Sequence, residues 1–341
     1  MGKREITREE LDEIIRAGEQ KAIADQAAAI LQGTAQHEAA KEHSPIIKEG
    51  ETIKVVKGVL DMAPVVVKQY SRVTASEEDA ERNFLREMAY SDYITNLEGY
   101  CDEERALILE DGGGNLKAKL GAIDTPSALM TLFIQVTLAL QHIHAKGWVY
   151  GDLKPENILI DQNKNARICD FNSLAPKGSL IPLSTDAYKS PEVAAGQPAF
   201  EAADVHSMGK VMLETMMDQS LESNKELRLS RDYARGRGMR QEPNEGIRAE
   251  AIQRGNPLHS RFKNNMIDAV GRKLIELAVN CASYDAGKRP TVEKLLSDLR
   301  EINISLENKP ATNVHKDEWT GGNPNTGAGG SGSSSRTARK K

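Results

Sequence analysis

The chain has 341 residues, of which 39% are hydrophobic, so it can form a sizeable core and is not a wholly disordered chain. Its 45 basic and 50 acidic residues give a net charge of −5. This excludes a global positive charge of the kind that binds nucleic acid or a membrane surface, and we expect no nucleic acid partner. No stretch approaches 18 uncharged apolar residues, so we expect neither a signal peptide nor a membrane span.

The three cysteines, Cys101, Cys169 and Cys281, are odd in number and widely spaced. They lack the paired spacing of a zinc site and are typical of reduced thiols in a cytosolic protein. We therefore expect the protein to be cytoplasmic.

The N-terminal extension, residues 1–45, contains a predicted amphipathic helix over residues 8–32. Thr7 and Glu10 form a T-x-x-E capping box at its start, and apolar residues recur after it at helical spacing. The apolar stripe is expected to dock either on the main domain or on a partner.

The region that follows is predicted to have an α+β fold with two unequal lobes and a cleft between them. Its first part contains strand-like runs and one helical segment, and its second part contains helices at 3.6-residue periodicity. The predicted strands are 52–56, 65–70 and 106–109, and the predicted helices are 77–95, 129–144, 205–217, 266–282 and 291–302.

Two further segments have a distinct composition. Residues 218–264 form an insertion in which eight arginines alternate with acidic residues. Residues 306–341 are rich in Gly and Ser and end in a basic RTARKK, which predicts a disordered tail. Each segment is interpreted either as a solvated surface or as a contact for an acidic partner.

The most informative motif is YGDLKPEN at 150–157, followed by DFN at 170–172. It resembles the H-R-D-L-K-P-x-N catalytic loop and the D-F-G motif of the protein kinase family. The resemblance implies a bilobal kinase fold over 46–305, with a β-rich N-lobe (46–111) carrying one helix and an α-helical C-lobe (112–305). It implies that Asp152 orients the substrate hydroxyl and accepts its proton, and that Lys154 lies beside the transferred phosphate.

The resemblance also implies ATP and Mg²⁺ as cofactors. Asn157 and Asp170 would be the metal ligands. VVVK at 65–68 resembles the strand whose lysine, here Lys68, binds the α- and β-phosphates, and FLRE at 84–87 offers Glu87 as its helix partner.

Further motifs extend the resemblance toward the C-terminus. STDAYKSPE at 184–192 resembles the peptide-binding segment, with Thr185 expected to hydrogen-bond Asp152 and Lys154. Asp204 is expected to hold the catalytic-loop backbone, and Arg289 to pair with Glu192.

LILEDGG at 107–113 resembles the strand that leads to the adenine-binding hinge of the family. Leu109 would be the gatekeeper, and Glu110, Asp111 and Gly112 would follow the purine edge. Val66 stands where the family has alanine and would narrow the adenine pocket slightly.

Three positions depart from the family pattern. KEGETIKV at 48–55 replaces G-x-G-x-x-G-x-V, so that only Gly50 and Val55 are retained and Lys48 contributes a charge near the phosphates. Tyr150 and Gly151 replace His-Arg, so the chain lacks the arginine that, beside the catalytic aspartate, receives a phosphorylated activation segment. This predicts activity without phosphorylation of the activation segment, residues 170–192. Asn172 replaces glycine and is expected to adopt the left-handed turn conformation.

Taken together, these residues predict an ATP- and Mg²⁺-dependent Ser/Thr kinase acting on a protein substrate. Because the phosphate loop at 48–55 keeps only one glycine of the family pattern, a nucleotide-binding pseudokinase is the alternative. A small-molecule phosphotransferase of the antibiotic-kinase type is disfavoured by Lys154 and Thr185, which serve a peptide substrate. A secreted effector acting in a host cytosol is a further interpretation of the tails.

Overall fold

The computed structural model describes residues 4–31, 45–70, 75–89, 91–216 and 268–307, which all lie in one compact unit, Met1–Asn308. The predicted insertion at 218–264 lies outside the described residues. So does the predicted tail, apart from its first two residues, which belong to a helix.

The first part of the chain is built on a six-stranded sheet, in which the strand order is β1-β5-β6-β4-β3-β2 and only β1 pairs in parallel. Five shorter strands follow in two small sheets. The strands are β1 (Arg4–Glu5), β2 (Ile46–Glu49), β3 (Ile53–Leu60), β4 (Ala63–Tyr70), β5 (Leu97–Cys101), β6 (Ala106–Glu110), β7 (Gly114–Asn115), β8 (Trp148–Val149), β9 (Ile158–Ile160), β10 (Ala166–Ile168) and β11 (Ala175–Pro176).

Seven α-helices lie in the described residues, and most of them follow the six-stranded sheet in the chain. They are α1 (Arg8–Leu31), α2 (Ala75–Glu87), α3 (Pro126–Ala145), α4 (Pro191–Ala194), α5 (Glu201–Met216), α6 (Asp268–Cys281) and α7 (Val292–Glu307). The sheet with α2 and the helical part that follows confirm the predicted α+β fold.

The two faces of the six-stranded sheet contact different parts of the molecule. The face that we call the cleft face carries Val55, Lys68 and Leu107, which are paired in register across β3, β4 and β6 and pack toward the main core. The opposite, outer face carries Val56, Val67 and Ile108, which form a separate apolar cluster. This alternation follows from the two-residue period of strands.

The predicted N-terminal helix docks on the outer face of the sheet. Ile6, Leu11 and Ile14 are buried there among the apolar residues of the outer face. The capping box forms as predicted, because the Thr7 N–H donates to Glu10 Oε2 at 2.9 Å and the Glu10 N–H donates to Thr7 Oγ1 at 3.2 Å. Of the two expected docking modes, the structure therefore has the intramolecular one.

The approach of α1 to the sheet depends on a glycine. A Cβ atom on Gly18 would lie 2.2 Å from the Lys57 carbonyl oxygen and 2.7 Å from the Cα of Gly58. Only a residue without a side chain allows the helix to lie this close to β3.

Helix α2 is shorter than predicted. It ends at Glu87, whereas the periodicity predicted a helix to residue 95. Ile94 instead forms a bridge with Ile168, and the Thr95 N–H donates to the Ile168 carbonyl at 3.0 Å. Tertiary pairing with β10 therefore overrides the helical pattern in this segment.

Four of the five helices of the second part were predicted, and their described ends agree with the predicted ones to within five residues. The short helix α4 was not predicted. Helix α3 is central to the second part, and Leu129, Leu132 and Phe133 on it are fully buried. By length and composition α3 is the one helix of the described residues that could cross a membrane. Most of α3 is buried, as in a core helix, so its length and composition are weak evidence that it crosses a membrane.

Candidate active site

The buried lysine of β4 joins two acidic groups from different elements. Lys68 Nζ donates to both carboxylate oxygens of Glu81 on α2 at 2.9 Å, and to Asp170 Oδ1 at 2.8 Å. Burial disfavours the charged amine, but the charges of Asp170 and Glu81 raise the pKa of Lys68 well above its ordinary value. Lys68 therefore stays protonated and ties the sheet and α2 to the segment that carries Asp170.

The partner of Lys68 is Glu81, and the expectation of Glu87 was wrong. Glu87 is exposed at the last residue of α2, whereas the Glu81 side chain is 1% exposed. The reason is helical geometry, because the buried Leu85 and Met88 lie four and seven residues after Glu81, and residues at these spacings share a helix face. Glu81 lies on that face and Glu87 does not.

Two further groups hold the Glu81 carboxylate, and sequence reasoning missed both. The Tyr70 hydroxyl donates to Glu81 Oε2, and the Phe171 N–H donates to Glu81 Oε1 at 3.2 Å. The signal for Glu81 was present in the sequence as its spacing from Leu85 and Met88, but it can be recognised only once the rotation of the helix is known. Tyr70 carried no such signal.

A second cluster surrounds Asp152. Lys154 Nζ donates to Asp152 Oδ2 at 2.6 Å and to Thr185 Oγ1 at 2.7 Å, and the Thr185 N–H donates to Asp152 Oδ1 at 2.7 Å. Asn157 Nδ2 donates to the Asp152 carbonyl at 2.9 Å. The structure therefore brings together the four residues that the sequence placed at this site.

The backbone before Asp152 is held by a buried aspartate, as expected. The N–H groups of Tyr150 and Gly151 donate to the two carboxylate oxygens of Asp204 at 2.8 and 2.9 Å. The Asp204 Oδ2 atom also lies 2.8 Å from His144 Nε2. These bonds fix the turn from which Asp152 projects.

Tyr150 links this turn to the segment of Asp170. Its hydroxyl donates to the Cys169 carbonyl at 2.5 Å and contacts the Asp170 carbonyl at 3.1 Å. Its ring packs edge-on against Phe171, with 5.7 Å between the centroids. The tyrosine thus positions the Asp170 backbone from within the core.

The left-handed residue of the DFN turn is Asp170, at φ +62°, and not Asn172 as predicted. Asp and Asn are the non-glycine residues that best tolerate this conformation, so the turn forms without glycine. Although burial opposes ionisation, the charges of Lys68, Lys48 and Lys154 hold the pKa of Asp170 below its ordinary value.

At the predicted hinge, β6 runs into a tight glycine turn. Leu109 is buried and paired with Val66, while the Glu110 carboxylate accepts from the Asn96 N–H at 3.0 Å and pairs with Arg167 at 2.5 Å. The Glu110 side chain is therefore occupied by protein groups, and its N–H donates to the Asn96 carbonyl at 3.0 Å.

The two glycines of this turn, Gly112 and Gly113, lie against β9 in the second part of the chain. A Cβ on Gly112 would lie 2.7 Å from the Leu159 side chain, and Gly113 has φ +87°. The Asp111 carboxylate closes the turn by accepting from the Gly113 N–H at 2.9 Å. Gly112 and Gly113 therefore permit the close approach of β6 to β9.

Comparison with known proteins identifies this arrangement. The model of the protein kinase domain matches residues 42–299. The chain belongs to the protein kinase family. Several curated relatives are 26% identical to it, among them a probable serine/threonine-protein kinase, kinX, of Dictyostelium discoideum over 272 residues (74% of this chain and 23% of the relative). Others are the salt tolerance receptor-like cytoplasmic kinase 1 of Oryza sativa over 267 residues (69% and 70%) and the serine/threonine-protein kinase BIK1 of Arabidopsis thaliana over 261 residues (70% and 62%). The chain thus spans between about a quarter and about two thirds of the length of these relatives.

Within the kinase domain, the predicted ion pair between Glu192 and Arg289 is present. The guanidinium donates to both carboxylate oxygens at 2.6 and 2.8 Å, and to the Ser283 and Ala202 carbonyls. Burial opposes ionisation, but Arg289 holds the pKa of Glu192 below its ordinary value. The pair anchors the end of the activation segment to the helical lobe.

The donor set of the kinase site fits Mg²⁺. Asn157 uses its NH₂ group on Asp152, which leaves its amide oxygen for a metal, and Asp170 uses Oδ1 on Lys68, which leaves Oδ2. No cluster of three or more His, Cys, Asp or Glu residues suited to a metal occurs in the described part of the chain. Mg²⁺ fits this pair all the same, because it is commonly held by one or two protein oxygens together with water and phosphate.

Proposed function

We propose that this kinase domain transfers the γ-phosphate of ATP, with Mg²⁺, to serine or threonine hydroxyls of a protein substrate. The observation that carries the proposal is the joint arrangement of the two clusters. Lys68 joins Glu81 and Asp170 at 2.8–2.9 Å, while Asp152 is held by Lys154 and Thr185 at 2.6–2.7 Å. Active kinases require both the lysine–glutamate pair and the metal-binding aspartate in place.

In this proposal Asp152 orients the substrate hydroxyl and receives its proton. The hydroxyl oxygen forms a bond to the γ-phosphorus, the bond to the bridging oxygen of the β-phosphate breaks, and ADP leaves. Lys154 and Lys68 offset the negative charge of the phosphates. Bound Mg²⁺, held by Asn157 and Asp170, supplies further charge neutralisation at the same phosphates.

The nucleotide base is proposed to lie between the hinge and the cleft face of the sheet. Val55 and Val66 would cover it, and the backbone of residues 110–112 would follow its polar edge. Leu109 would limit the depth of the pocket, because it is buried next to Val66 in the sheet.

Specificity for serine and threonine is supported by the contact of Lys154 with both Asp152 and Thr185. The names of the relatives, which include serine/threonine-protein kinases, also support it. A cytoplasmic location is proposed from the name of the rice relative. Nothing in the described part of the chain favours a secreted effector or an acidic partner, and the insertion and the tail from residue 308 lie outside that part.

The test is transfer of labelled phosphate from ATP with Mg²⁺ to a generic protein substrate. We compare the full chain with an Asp152→Asn variant, and with Asp61→Asn as the matched control in the exposed turn between β3 and β4. We expect Asp152→Asn to lose at least 10²-fold in turnover, and the control to match the unmodified protein.

Equal transfer by Asp152→Asn and the unmodified protein would overturn the assigned role of Asp152. Thermal stabilisation by ATP without any transfer would instead favour the pseudokinase. Phosphorylation of serine and threonine, and not of tyrosine, in the product would support the specificity.

A further inference from the structure

The phosphate loop, residues 48–55 at the end of β2 and the start of β3, departs most from the kinase pattern. It carries Lys48 where the family has its first glycine, and a Cβ on Gly50 would be 3.4 Å from its nearest neighbour. Neither Gly50 nor the two residues that follow it have positive φ. The loop therefore gains little from glycine and presents side chains in its place.

The register of the sheet determines the direction of Lys48. Lys48 is paired with Val55, and Val55 is paired with Lys68, so the three residues form one row across three strands. Directly paired residues project to the same face of a sheet. Lys48 therefore lies on the cleft face, two strands and about 10 Å from Lys68.

A β-bulge produces this orientation. Ile46 pairs with Val56 on the outer face, and the register shifts by one residue before Lys48 pairs with Val55. An extra residue of this kind moves the following side chains to the opposite face. Without the bulge, Lys48 would lie on the outer face, away from the kinase site.

The neighbouring glutamate lies on the other face. Glu49 pairs in register with Lys54, and their charged groups are 4.0 Å apart. Lys48 itself makes no ion pair with any residue that the structure describes. Its charge is therefore available to a ligand in the cleft, and Glu49 does not neutralise it.

Lys48 and Lys68 lie in one row on the cleft face, and Lys68 donates to Asp170 Oδ1 at 2.8 Å. A polyphosphate bound in front of this row would lie in the field of both ammonium groups.

We propose that Lys48 binds the nucleotide phosphates directly, and that its ammonium group replaces the glycine-loop backbone contacts that this chain lacks. The inference rests on the proposed function, since it concerns the same nucleotide site. It adds a phosphate-binding side chain to that site and explains how the kinase domain retains a phosphate loop with a single glycine.

The test is calorimetric binding of ATP, ADP and adenosine to the full chain, with Mg²⁺ present. We expect Lys48→Gln to weaken ATP and ADP binding about tenfold and to leave adenosine binding unchanged, because a charge-assisted hydrogen bond to phosphate is lost. Lys48→Arg is expected to retain ATP affinity within about threefold. Lys54→Gln, one residue from the row and on the outer face, is the matched control and should bind all three ligands normally.

Lys48→Gly provides a test of opposite sign, because it restores the residue of the family. It weakens ATP binding if the cation matters, and strengthens it if a glycine is what the loop needs. Unchanged ATP affinity in Lys48→Gln, or equal losses for ATP and adenosine, would overturn the inference and leave the proposed function intact. Failure of the unmodified protein to bind ATP would overturn both. Binding that depends on Lys48, without any phosphate transfer, would support Lys48 and overturn only the catalytic proposal.

Discussion

Replacing Glu81 by glutamine tests the assignment of the α2 partner of Lys68. The side chain of Glu81 is 1% exposed and accepts bonds from Lys68, Tyr70 and Phe171. Removing one partner of a buried ion pair costs about 3–5 kcal/mol, and the lower end applies because Lys68 keeps Asp170 at 2.8 Å. We therefore expect Glu81→Gln to lower the free energy of unfolding by about 3 kcal/mol.

The same change displaces Lys68 and α2, and a misplacement of about 1 Å costs roughly 10²-fold in rate. Urea unfolding and phosphate transfer measure the two effects. Glu87→Gln on the exposed end of α2 is the matched control and should stay within about 0.5 kcal/mol of the unmodified protein. If Glu87→Gln lost activity while Glu81→Gln kept it, the rotation of α2 and the reasoning from its buried face would be refuted.

Four further predictions have expected outcomes. Gly18→Ala should lower the thermal midpoint of unfolding, because its Cβ would lie 2.2 Å from the Lys57 carbonyl oxygen. Helix propensity alone predicts the opposite, a gain in stability of about 1 kcal/mol, so a raised midpoint would contradict the docking of α1. Gly151→Arg, which restores the family residue, should reduce turnover at least tenfold, because Gly151 has φ +84° and its Cβ would lie 2.9 Å from the Ile181 side chain. Phosphatase treatment of the unmodified protein should leave its activity intact, and loss of activity would disprove independence from loop phosphorylation. Burial lowers the pKa of Lys210 from 10.5 to about 8, so between these pH values the unfolded chain binds more protons than the folded protein. The free energy of unfolding should therefore rise by roughly 3 kcal/mol from pH 8 to 10.5. Chemical unfolding from pH 8 to 10.5 should show a smaller rise in Lys210→Met, and identical slopes would contradict the shift.

Elements whose apolar residues recur at a regular helical or strand spacing could be predicted from the sequence. Elements that form only because they pair with a neighbouring strand could not. Helix α3 has apolar residues at nine of its eleven buried positions, and its prediction was correct to within three residues. Strand β2 is exposed along its whole length and strand β5 has a glycine at its centre, so neither shows a clear alternation. Both exist because neighbouring strands supply their hydrogen bonds.

The same distinction holds in the site. Asp152, Lys154 and Asn157 lie within six residues, so their local spacing already determines their grouping. Glu81 depends on the rotation of a helix, and the direction of Lys48 depends on a bulge. A shift of one residue in either element changes which side chain reaches the cleft, and no local pattern reports that shift.

Two of the departures from the family pattern, Tyr150 and Gly151, are each matched by a local contact. Tyr150, in place of histidine, binds the carbonyls of Cys169 and Asp170 through its hydroxyl. Gly151, in place of arginine, leaves a niche that the Ile181 side chain fills, so an apolar contact supports the activation segment where the family uses a charge. An apolar contact of this kind needs no phosphate to form. We therefore expect the contact of the Thr185 N–H with Asp152, at 2.7 Å, to depend on packing and not on phosphorylation.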